Sequence, residues 1–257
     1  MARILLTLRY DGTAYHGWQV QPNGVTVQET LQNAIEAVTG VRAGITGCSR
    51  TDAGVHADMF CCTFDTDSAL RGDKLCSALN YHLPRDVSVY AAREVEEEFH
   101  PRYMAAGKRY VYRIWNGPQR HPVYERYAIW VKKPLDVAFL NRVAADYVGR
   151  HDFAAFCGAG SDVQGTTERT IHSCTVIREG ELVLFTVEGD GFLYNMVRIM
   201  VGTLLEIASG RMGSDSIPAI LEGRDRTAAG PTAPAQGLCL AEVFYPTEKE
   251  AVPGGDG

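Results

Sequence analysis

The sequence predicts an α+β fold built from two similar halves. Residues 4–9 alternate between apolar and polar side chains and run into an Asp-Gly turn. Residues 108–117 are a basic, aromatic strand that runs into an Asn-Gly turn. After each of these strands, helical and strand periodicities alternate along the chain. Because 257 residues are enough for two domains, we expect two α+β units.

The first half is predicted to run strand, helix, strand, helix, strand. Its first helix is introduced by Thr26 and Glu29, which have the spacing of a capping box, and is ended by Gly40. The remaining elements are predicted as a strand at residues 58–65, a helix at 68–81 and a strand at 87–91. Pro84 ends the second of these helices.

The second half shows the same mixture of elements. They are predicted as a strand from residue 108, a helix at 136–148, a hairpin of 171–178 with 181–189, a helix at 192–209 and a strand at 238–244. We place the domains at residues 1–104 and 105–246. Residues 247–257 are charged and glycine-rich, and we expect them to be disordered.

The composition is that of a globular protein, with 46% hydrophobic and 22% charged residues. It contains no apolar run of about 18 residues, and the N-terminus lacks the pattern of a signal peptide. We therefore expect a cytoplasmic protein without membrane attachment. The seven cysteines include no C-x-x-C pair, which favours buried free thiols over disulfides or zinc. The net charge of −6 leaves room for a local basic patch.

The segment 47–57, GCSRTDAGVHA, is the most unusual stretch of the chain. It has neither the helical nor the strand period, and glycines flank a cluster of polar residues. Such a loop is suited to ligand binding, because glycine lets a ligand approach the backbone closely. A solvated turn is the competing interpretation, since Asp and Gly are ordinary turn residues. The residues alone leave both interpretations open for Asp52.

Tyr110 and Arg198 also admit two interpretations each. Tyr110 lies on a predicted strand and could be sheet packing or a platform for stacking on a base. Arg198 lies at the edge of the apolar face of a predicted helix, where a charge needs a partner. That partner could be any carboxylate, or it could be Asp52, whose pKa the guanidinium would lower.

Four motifs, in order, resemble those of the TruA family of tRNA pseudouridine synthases. The family hallmark R-T-D-A-G-V-H is present in full at residues 50–56. YDGTAYHGWQ resembles the opening signature of the family, KRYVY resembles the motif with its substrate-contacting tyrosine, and GFLYNMVR resembles the motif that supplies an arginine. The resemblance extends over residues 4–246. It implies two ferredoxin-like (RRM-like) α+β halves that are joined through a mainly antiparallel central sheet, with a cleft between them.

The resemblance also implies an activity. The expected reaction is isomerisation of uridine to pseudouridine at positions 38, 39 and 40 of the tRNA anticodon stem-loop, by a homodimer and without a cofactor. Asp52 would be the catalytic residue, Arg50 would help to extrude the base, Tyr110 would contact the uracil and Arg198 would pair with Asp52.

Further residues are assigned with less support. Arg102, Lys108 and Arg109 are candidate phosphate contacts, and Arg150 lies in a segment that resembles part of the tRNA-facing surface of the family. A structural hydrogen bond is favoured over a general-base role for His56. No metal site is expected, because the His-Asp pair at residues 151–152 lacks further ligands at a suitable spacing.

Two rival functions remain at this level. The first is a tRNA-binding protein that uses the same basic cleft without catalysis. The second is a carboxylate hydrolase that acts on a nucleoside and releases free uracil. Neither rival accounts for the ordered appearance of all four motifs.

Overall fold

The computed structural model describes residues 1–160 and 165–246. The predicted disorder of residues 247–257 lies outside this described part. The described part contains ten strands and five α-helices, which are interspersed along the chain. The strands are β1 Ala2–Tyr10, β2 Thr46–Gly47, β3 His56–Thr66, β4 Val87–Val95, β5 Gly107–Trp115, β6 Ile129–Trp130, β7 Gly149–Asp152, β8 Glu168–Glu179, β9 Leu182–Gly189 and β10 Leu238–Phe244. The helices are α1 Val27–Thr39, α2 Gly72–His82, α3 Val137–Ala144, α4 Met196–Ser209 and α5 Ser216–Gly223.

All ten strands join one sheet, and its order reveals two equivalent halves. The main path is β4-β1-β3-β10-β5-β9-β8-β7, with β2 added to β3 and β6 added to β5. The first half has the chain order β1-α1-β2-β3-α2-β4 and the sheet order β4-β1-β3-β2. The second half has the chain order β5-α3-β8-β9-α4-β10 and the sheet order β10-β5-β9-β8. Both halves are therefore βαββαβ units of ferredoxin-like topology, and the predicted α+β fold with a mainly antiparallel sheet is confirmed.

The two halves join where β3 meets β10. This pairing is parallel and short, with His56 opposite Cys239 and Ala57 opposite Leu240. On its other side, Leu240 lies opposite Tyr110 of β5. Because β3 begins at His56, near the end of the 47–57 segment, this junction brings that segment close to the tyrosine of the second half.

The predicted start and end signals of α1 operate as expected. The hydroxyl of Thr26 accepts a hydrogen bond from the backbone N–H of Glu29 at 3.3 Å, and Gly40 ends the helix in the left-handed region with φ of 75°. One face of the helix is buried, formed by Val27, Leu31, Ala34 and Ile35. The helix α1 is thus capped at both ends and buries one face in the first half of the molecule.

Some predicted boundaries were wrong for local reasons. The helix predicted at 192–209 begins only at Met196, because Asn195 has φ of 60° and cannot continue a right-handed helix. The helix predicted at 68–81 begins only at Gly72, since the hydroxyl of Ser68 holds the preceding turn through the N–H of Leu70. Strand β4 extends to Val95 because β1 offers it a partner as far as Arg3.

Several elements carried no signal that the sequence analysis recognised. The short strands β6 and β7 and the helix α5 were not predicted. The helix predicted at 136–148 ends at Ala144 and continues as a 3₁₀ turn, Ala145–Tyr147. Elements of two to four residues depend on a neighbouring strand for their hydrogen bonds, so their own sequence says little about them.

All seven cysteines are free, and six of them are buried, as predicted. None of the helices in the described part combines the length and the apolar character needed to cross a bilayer. Within residues 1–160 and 165–246, no group of three or more His, Cys, Asp or Glu side chains is arranged to hold a metal ion.

Candidate active site

The loop that carries Asp52 is held by backbone contacts with residues 12–18, the region of the opening motif. The N–H of Trp18 donates to the carbonyl of Thr51 at 3.1 Å, and the N–H of Gly54 donates to the carbonyl of Tyr15 at 3.2 Å. Inside the loop, the N–H of Val55 donates to the carbonyl of Asp52 at 3.1 Å, which closes a tight turn. The loop is therefore a braced turn, and its aspartate has a fixed position.

Two glycines of the opening motif allow this close packing. A Cβ atom at Gly12 would lie 2.0 Å from the carbonyl oxygen of Val55, and one at Gly17 would lie 2.5 Å from that of Thr51. Gly17 also has φ of +85°, a conformation that other residues adopt at a cost. The two glycines of the opening motif therefore have a physical role, because they let residues 12–18 pack directly against the backbone of the Asp52 loop.

Arg198 of α4 reaches Asp52 from the other half of the molecule. Its Nη1 donates to Oδ2 of Asp52 at 2.9 Å, and both side chains are only 17% exposed. Its Nε donates to the carbonyl of Ala233 at 2.7 Å, and Nη1 also donates to Oδ1 of Asn195 at 2.8 Å. Three acceptors thus fix the guanidinium, which leaves it little freedom to leave the carboxylate.

The electrostatic result differs from the expectation. Burial raises the pKa of the Asp52 carboxyl above its ordinary value, and the hydrogen bond and charge of Arg198 lower it only in part. We expected the guanidinium to dominate and to lower the pKa. Desolvation is the larger effect because the pair lies at the junction of the two halves, largely shielded from water. Asp52 is therefore a more basic carboxylate than one on an open surface.

Tyr110 lies beside this pair. Its ring is buried and packs edge-on against Phe192 with a centroid distance of 5.0 Å. Its hydroxyl lies 3.2 Å from Oγ of Ser49, in the Asp52 loop. Burial raises the pKa of the Tyr110 phenol well above its ordinary value, and the charge of Asp52 contributes to the same direction. The hydroxyl therefore stays protonated at neutral pH, and the tyrosine is a neutral, fixed aromatic surface.

Arg50 and His56 have contrasting environments within the same loop. Arg50 is exposed, and its side chain makes no hydrogen bond or ion pair with any residue in the described ranges. His56 is buried and fully engaged. Its Nδ1 accepts from the N–H of Gly12 at 3.0 Å, and its Nε2 lies 2.9 Å from the carbonyl of Arg126, to which it donates. The assignment of His56 to a structural hydrogen bond fits these contacts, whereas the Arg50 side chain has none among the described residues.

The four candidate phosphate contacts do not lie together. Arg102 is exposed on the loop before β5, and Lys108 is buried on the same face of β5 as Tyr110. Arg109 points to the opposite face and forms ion pairs with Glu188 and Glu242. Arg150 is exposed on the edge strand β7 and lies 3.0 Å from a carboxylate oxygen of Glu168. Of the four, Arg102 and Lys108 belong to the Asp52 side of the sheet.

Several residues of the site were not singled out from the sequence. Asn195, which has a left-handed backbone conformation, accepts a hydrogen bond from Nη1 of Arg198 and so helps to orient the guanidinium. Thr51 fixes the loop through the hydroxyl of Tyr10 at 2.8 Å. Ala233 contributes only a carbonyl oxygen, which no side-chain pattern can signal. The Asn of GFLYNMVR was visible in the sequence, but we assigned it no role.

The chain is similar in sequence to a family of known proteins. A family model described as tRNA pseudouridine synthase matches residues 7–104 and 143–246. A tRNA pseudouridine synthase A of Ruminiclostridium cellulolyticum is 45% identical over 245 residues, which cover 95% of this chain and 100% of that protein. Proteins of the same name are 46% identical in Acetivibrio thermocellus and 44% identical in Pelobacter propionicus, with the same coverage.

The matched segments contain both members of the Asp52–Arg198 pair, whereas Tyr110 lies between the two segments. Asp52, Tyr10 and Gly17 lie in the first segment, and Asn195 and Arg198 lie in the second. The Asp52–Arg198 pair is therefore assembled from both parts of the family match. On the extent of that match and the full-length identity of its relatives, the chain belongs to the tRNA pseudouridine synthase family.

Proposed function

We propose that this protein isomerises uridine to pseudouridine in tRNA and that Asp52 is the catalytic residue. The observation that carries the proposal is the enclosed pair of Asp52 and Arg198 at 2.9 Å, on a braced loop in a chain of this family. A carboxylate with a fixed position and a raised pKa can act as a nucleophile or as a base.

The reaction exchanges one bond of the nucleoside for another. The bond from C1′ of the ribose to N1 of uracil breaks, and a bond from C1′ to C5 forms. The proton on C5 is lost and N1 gains one, so the product has the composition of the substrate. Asp52 can begin this sequence by attacking C1′, by adding to C6 or by removing the 2′ proton. In each case a single ionised carboxylate must reach the extruded nucleoside.

The surrounding residues support base extrusion. A uridine within a stem has to leave its stack before Asp52 can reach it, which costs a few kcal/mol. Arg50 is exposed and without a partner in the described ranges, and in our proposal it occupies or supports the space that the uracil leaves. Tyr110 stacks on the extruded uracil, where its ring is already held by Phe192 and Ser49.

The finer assignments are part of the same proposal. We propose that the substrate uridines are those at positions 38, 39 and 40 of the anticodon stem-loop and that the enzyme acts as a homodimer in the cytoplasm. A family that treats many tRNAs at neighbouring positions would read shape and backbone more than sequence. Mapping pseudouridines in one tRNA before and after treatment tests the positions, and sedimentation with and without tRNA tests the dimer.

We also propose that the chain divides into domains at residues 1–104 and 105–246. Two features support this division: the first matched segment of the family model ends at residue 104, and each half is a complete βαββαβ unit. The sheet nevertheless runs through both units by way of β3 and β10. Limited proteolysis tests the division, because cleavage between β4 and β5 should come before cleavage within either half.

The decisive experiment replaces Asp52 by Asn. The substitution keeps the size of the side chain and removes the ionisable group, so we expect pseudouridine formation to be lost while tRNA still binds. Undiminished conversion by Asp52→Asn would exclude Asp52 as the catalytic residue. A wild-type protein that binds tRNA without converting it would be the binding protein considered above, and release of free uracil would identify the hydrolase.

A further inference from the structure

Lys108 is a buried cation without a partner. The residue is 8% exposed, yet its side chain takes part in no hydrogen bond or ion pair with the residues that the structure describes. Unpaired buried charge is costly, so lysine is rarely buried in this way unless the position has a use. Of the enclosed side-chain polar atoms in the described part, only Nδ1 of His121 lacks a partner. The Lys108 ammonium therefore keeps a contact with solvent.

The position of Lys108 places that contact beside the candidate active site. Side chains two residues apart on a strand share a face, so Lys108 and Tyr110 point the same way, about 7 Å apart along β5. Opposite Lys108 on β9 is Gly189. A Cβ atom at Gly189 would lie 2.8 Å from the carbonyl oxygen of Thr170, 2.9 Å from Cδ1 of Ile171 and 3.4 Å from the ring of Phe192. The same Phe192 ring packs on Tyr110.

Two other cations, Arg102 and Arg169, lie close enough to Lys108 for their charges to act on it. Burial lowers the pKa of the Lys108 ammonium, and the charges of Arg102 and Arg169 lower it further. The thiol of Cys48 is nearby, but burial raises its pKa to about 12, so it carries no charge at neutral pH. Arg169 is oriented by hydrogen bonds from Nη1 to the carbonyls of Thr166 and Glu168, at 2.8 and 2.5 Å.

None of these three neighbouring cations forms an ion pair with a carboxylate of the described residues. Like charges at close range repel one another, and an anion bound among them would remove that penalty. Lysine acts on phosphate as a point charge, and an oriented guanidinium adds directed donors. A phosphodiester carries one negative charge and accompanies every nucleotide that enters the site.

We propose that Lys108, together with Arg102 and Arg169, binds a backbone phosphate of the RNA next to the uridine held at Asp52. The proposal rests on the function proposed above and adds to it a positioning site for the substrate. Lys108 contacts the backbone and takes no part in bond rearrangement. It anchors the strand so that the extruded base enters between Tyr110 and Asp52.

The test asks whether the loss of the Lys108 charge and the loss of one phosphate charge in the RNA affect binding independently of each other. An anticodon stem-loop RNA is prepared as a series, each member with a single neutral methylphosphonate at one position around the target uridine. Wild-type protein and Lys108→Met are compared for binding to each RNA. We expect one position at which the methylphosphonate weakens wild-type binding about 10-fold and has no effect on Lys108→Met. Equal losses in both proteins at every position would overturn the proposal.

Salt dependence and stability provide independent readouts. The slope of log affinity against log salt should fall by about 1 in Lys108→Met, as for the loss of one phosphate contact. Arg42→Met is the matched control, since it neutralises an exposed cation that pairs with Glu36 on α1, and it should leave the methylphosphonate pattern unchanged. Lys108→Met should unfold at the same or a higher temperature than wild type, because it removes a buried unpaired charge. A lower unfolding temperature together with an unchanged salt slope would assign Lys108 to structure instead.

Two further experiments test the role of Arg169 and distinguish an RNA phosphate from free phosphate as the ligand. Arg169→Met should lose the same methylphosphonate effect in part, and an unchanged effect in that variant would remove Arg169 from the site. Saturable binding of inorganic phosphate with no sensitive RNA position would mean a free-anion site and would overturn the RNA assignment. If wild-type protein forms no pseudouridine, the proposed function fails. If it forms pseudouridine while Lys108→Met shows no coupling, only the present inference fails.

Discussion

Nη1 of Arg198 lies 2.9 Å from Oδ2 of Asp52, although 146 positions separate the two residues in the chain. The contact joins a helix of the second half to a loop of the first. It exists because β10 pairs with both β3 and β5, so that the two halves share one sheet. The candidate active site is therefore a property of the junction, and each half by itself lacks one member of the pair.

Replacing Arg198 by Met should change the pH dependence of the reaction. The guanidinium now offsets part of the effect of burial on Asp52, so its loss raises the pKa of that carboxyl further. In the proposed mechanism the ionised carboxylate is the active form, so the acid side of the pH–rate profile should move to higher pH, with a rate at neutral pH about 10²-fold lower. Single-turnover rates across the pH range measure both effects.

Arg198→Lys is the matched control for this shift. It keeps a positive charge but cannot reach Asp52, Asn195 and the Ala233 carbonyl at once. We expect a smaller displacement of the acid limb than in Arg198→Met. An acid limb in Arg198→Met that coincides with that of wild type would mean that Arg198 has no electrostatic influence on the reacting group.

Arg50→Ala should separate activity from stability. The side chain is exposed and has no partner in the described ranges, so its removal should change the free energy of unfolding by no more than about 0.5 kcal/mol. Conversion of a fully paired stem should nevertheless fall, because the extruded base is no longer supported. A substrate whose target uridine is mispaired should restore much of the rate, since that base leaves its stack more easily. Equal losses on both RNAs would argue against a role in extrusion.

Tyr110 is expected to act through its ring more than through its hydroxyl. Tyr110→Phe keeps the stacking surface and loses only the contact with Ser49, so binding and rate should stay within about threefold of wild type. Tyr110→Leu removes the aromatic face and should weaken the reaction by about 1–3 kcal/mol. Steady-state kinetics measure the two variants, and thermal unfolding shows whether each one is folded. A Phe variant as impaired as the Leu variant would point to the hydroxyl.

Gly17→Ala should displace the loop of Asp52. Its new Cβ atom would lie 2.5 Å from the Thr51 carbonyl oxygen, at a backbone φ of +85°. The change should lower both the unfolding temperature and the reaction rate. Gly40→Ala is the matched control, because Gly40 has φ of +75° with nothing within 4 Å of the added atom. It should cost about 1–2 kcal/mol of stability through backbone strain and leave the rate unchanged. Equal rates in the two variants would show that the packing at Gly17 does not position Asp52.

The sequence by itself determined the main elements and the identity of the central loop. Alternation of apolar residues predicted β1, β5 and the β8–β9 hairpin, and the spacing of Thr26, Glu29 and Gly40 predicted α1 from cap to cap. These signals are readable because each records a local requirement: one buried face, one capped helix end, one tight turn. The motif at 50–56 indicated the loop of the candidate active site because its residues are contiguous in the chain.

Tertiary structure decided how these parts combine. Lys108 and Arg109 are neighbours that the sequence analysis grouped together, yet one lies on the Tyr110 face and the other pairs with Glu188 and Glu242 behind the sheet. The left-handed conformation of Asn195 and the acceptor at Ala233 follow from how α4 is seated. The net direction of the Asp52 pKa depends on how much water the junction excludes, which no residue type specifies. Periodicity reports the burial of a residue within its own element, whereas the partners across β3, β10 and β5 are set by strand order and register, which depend on the whole chain.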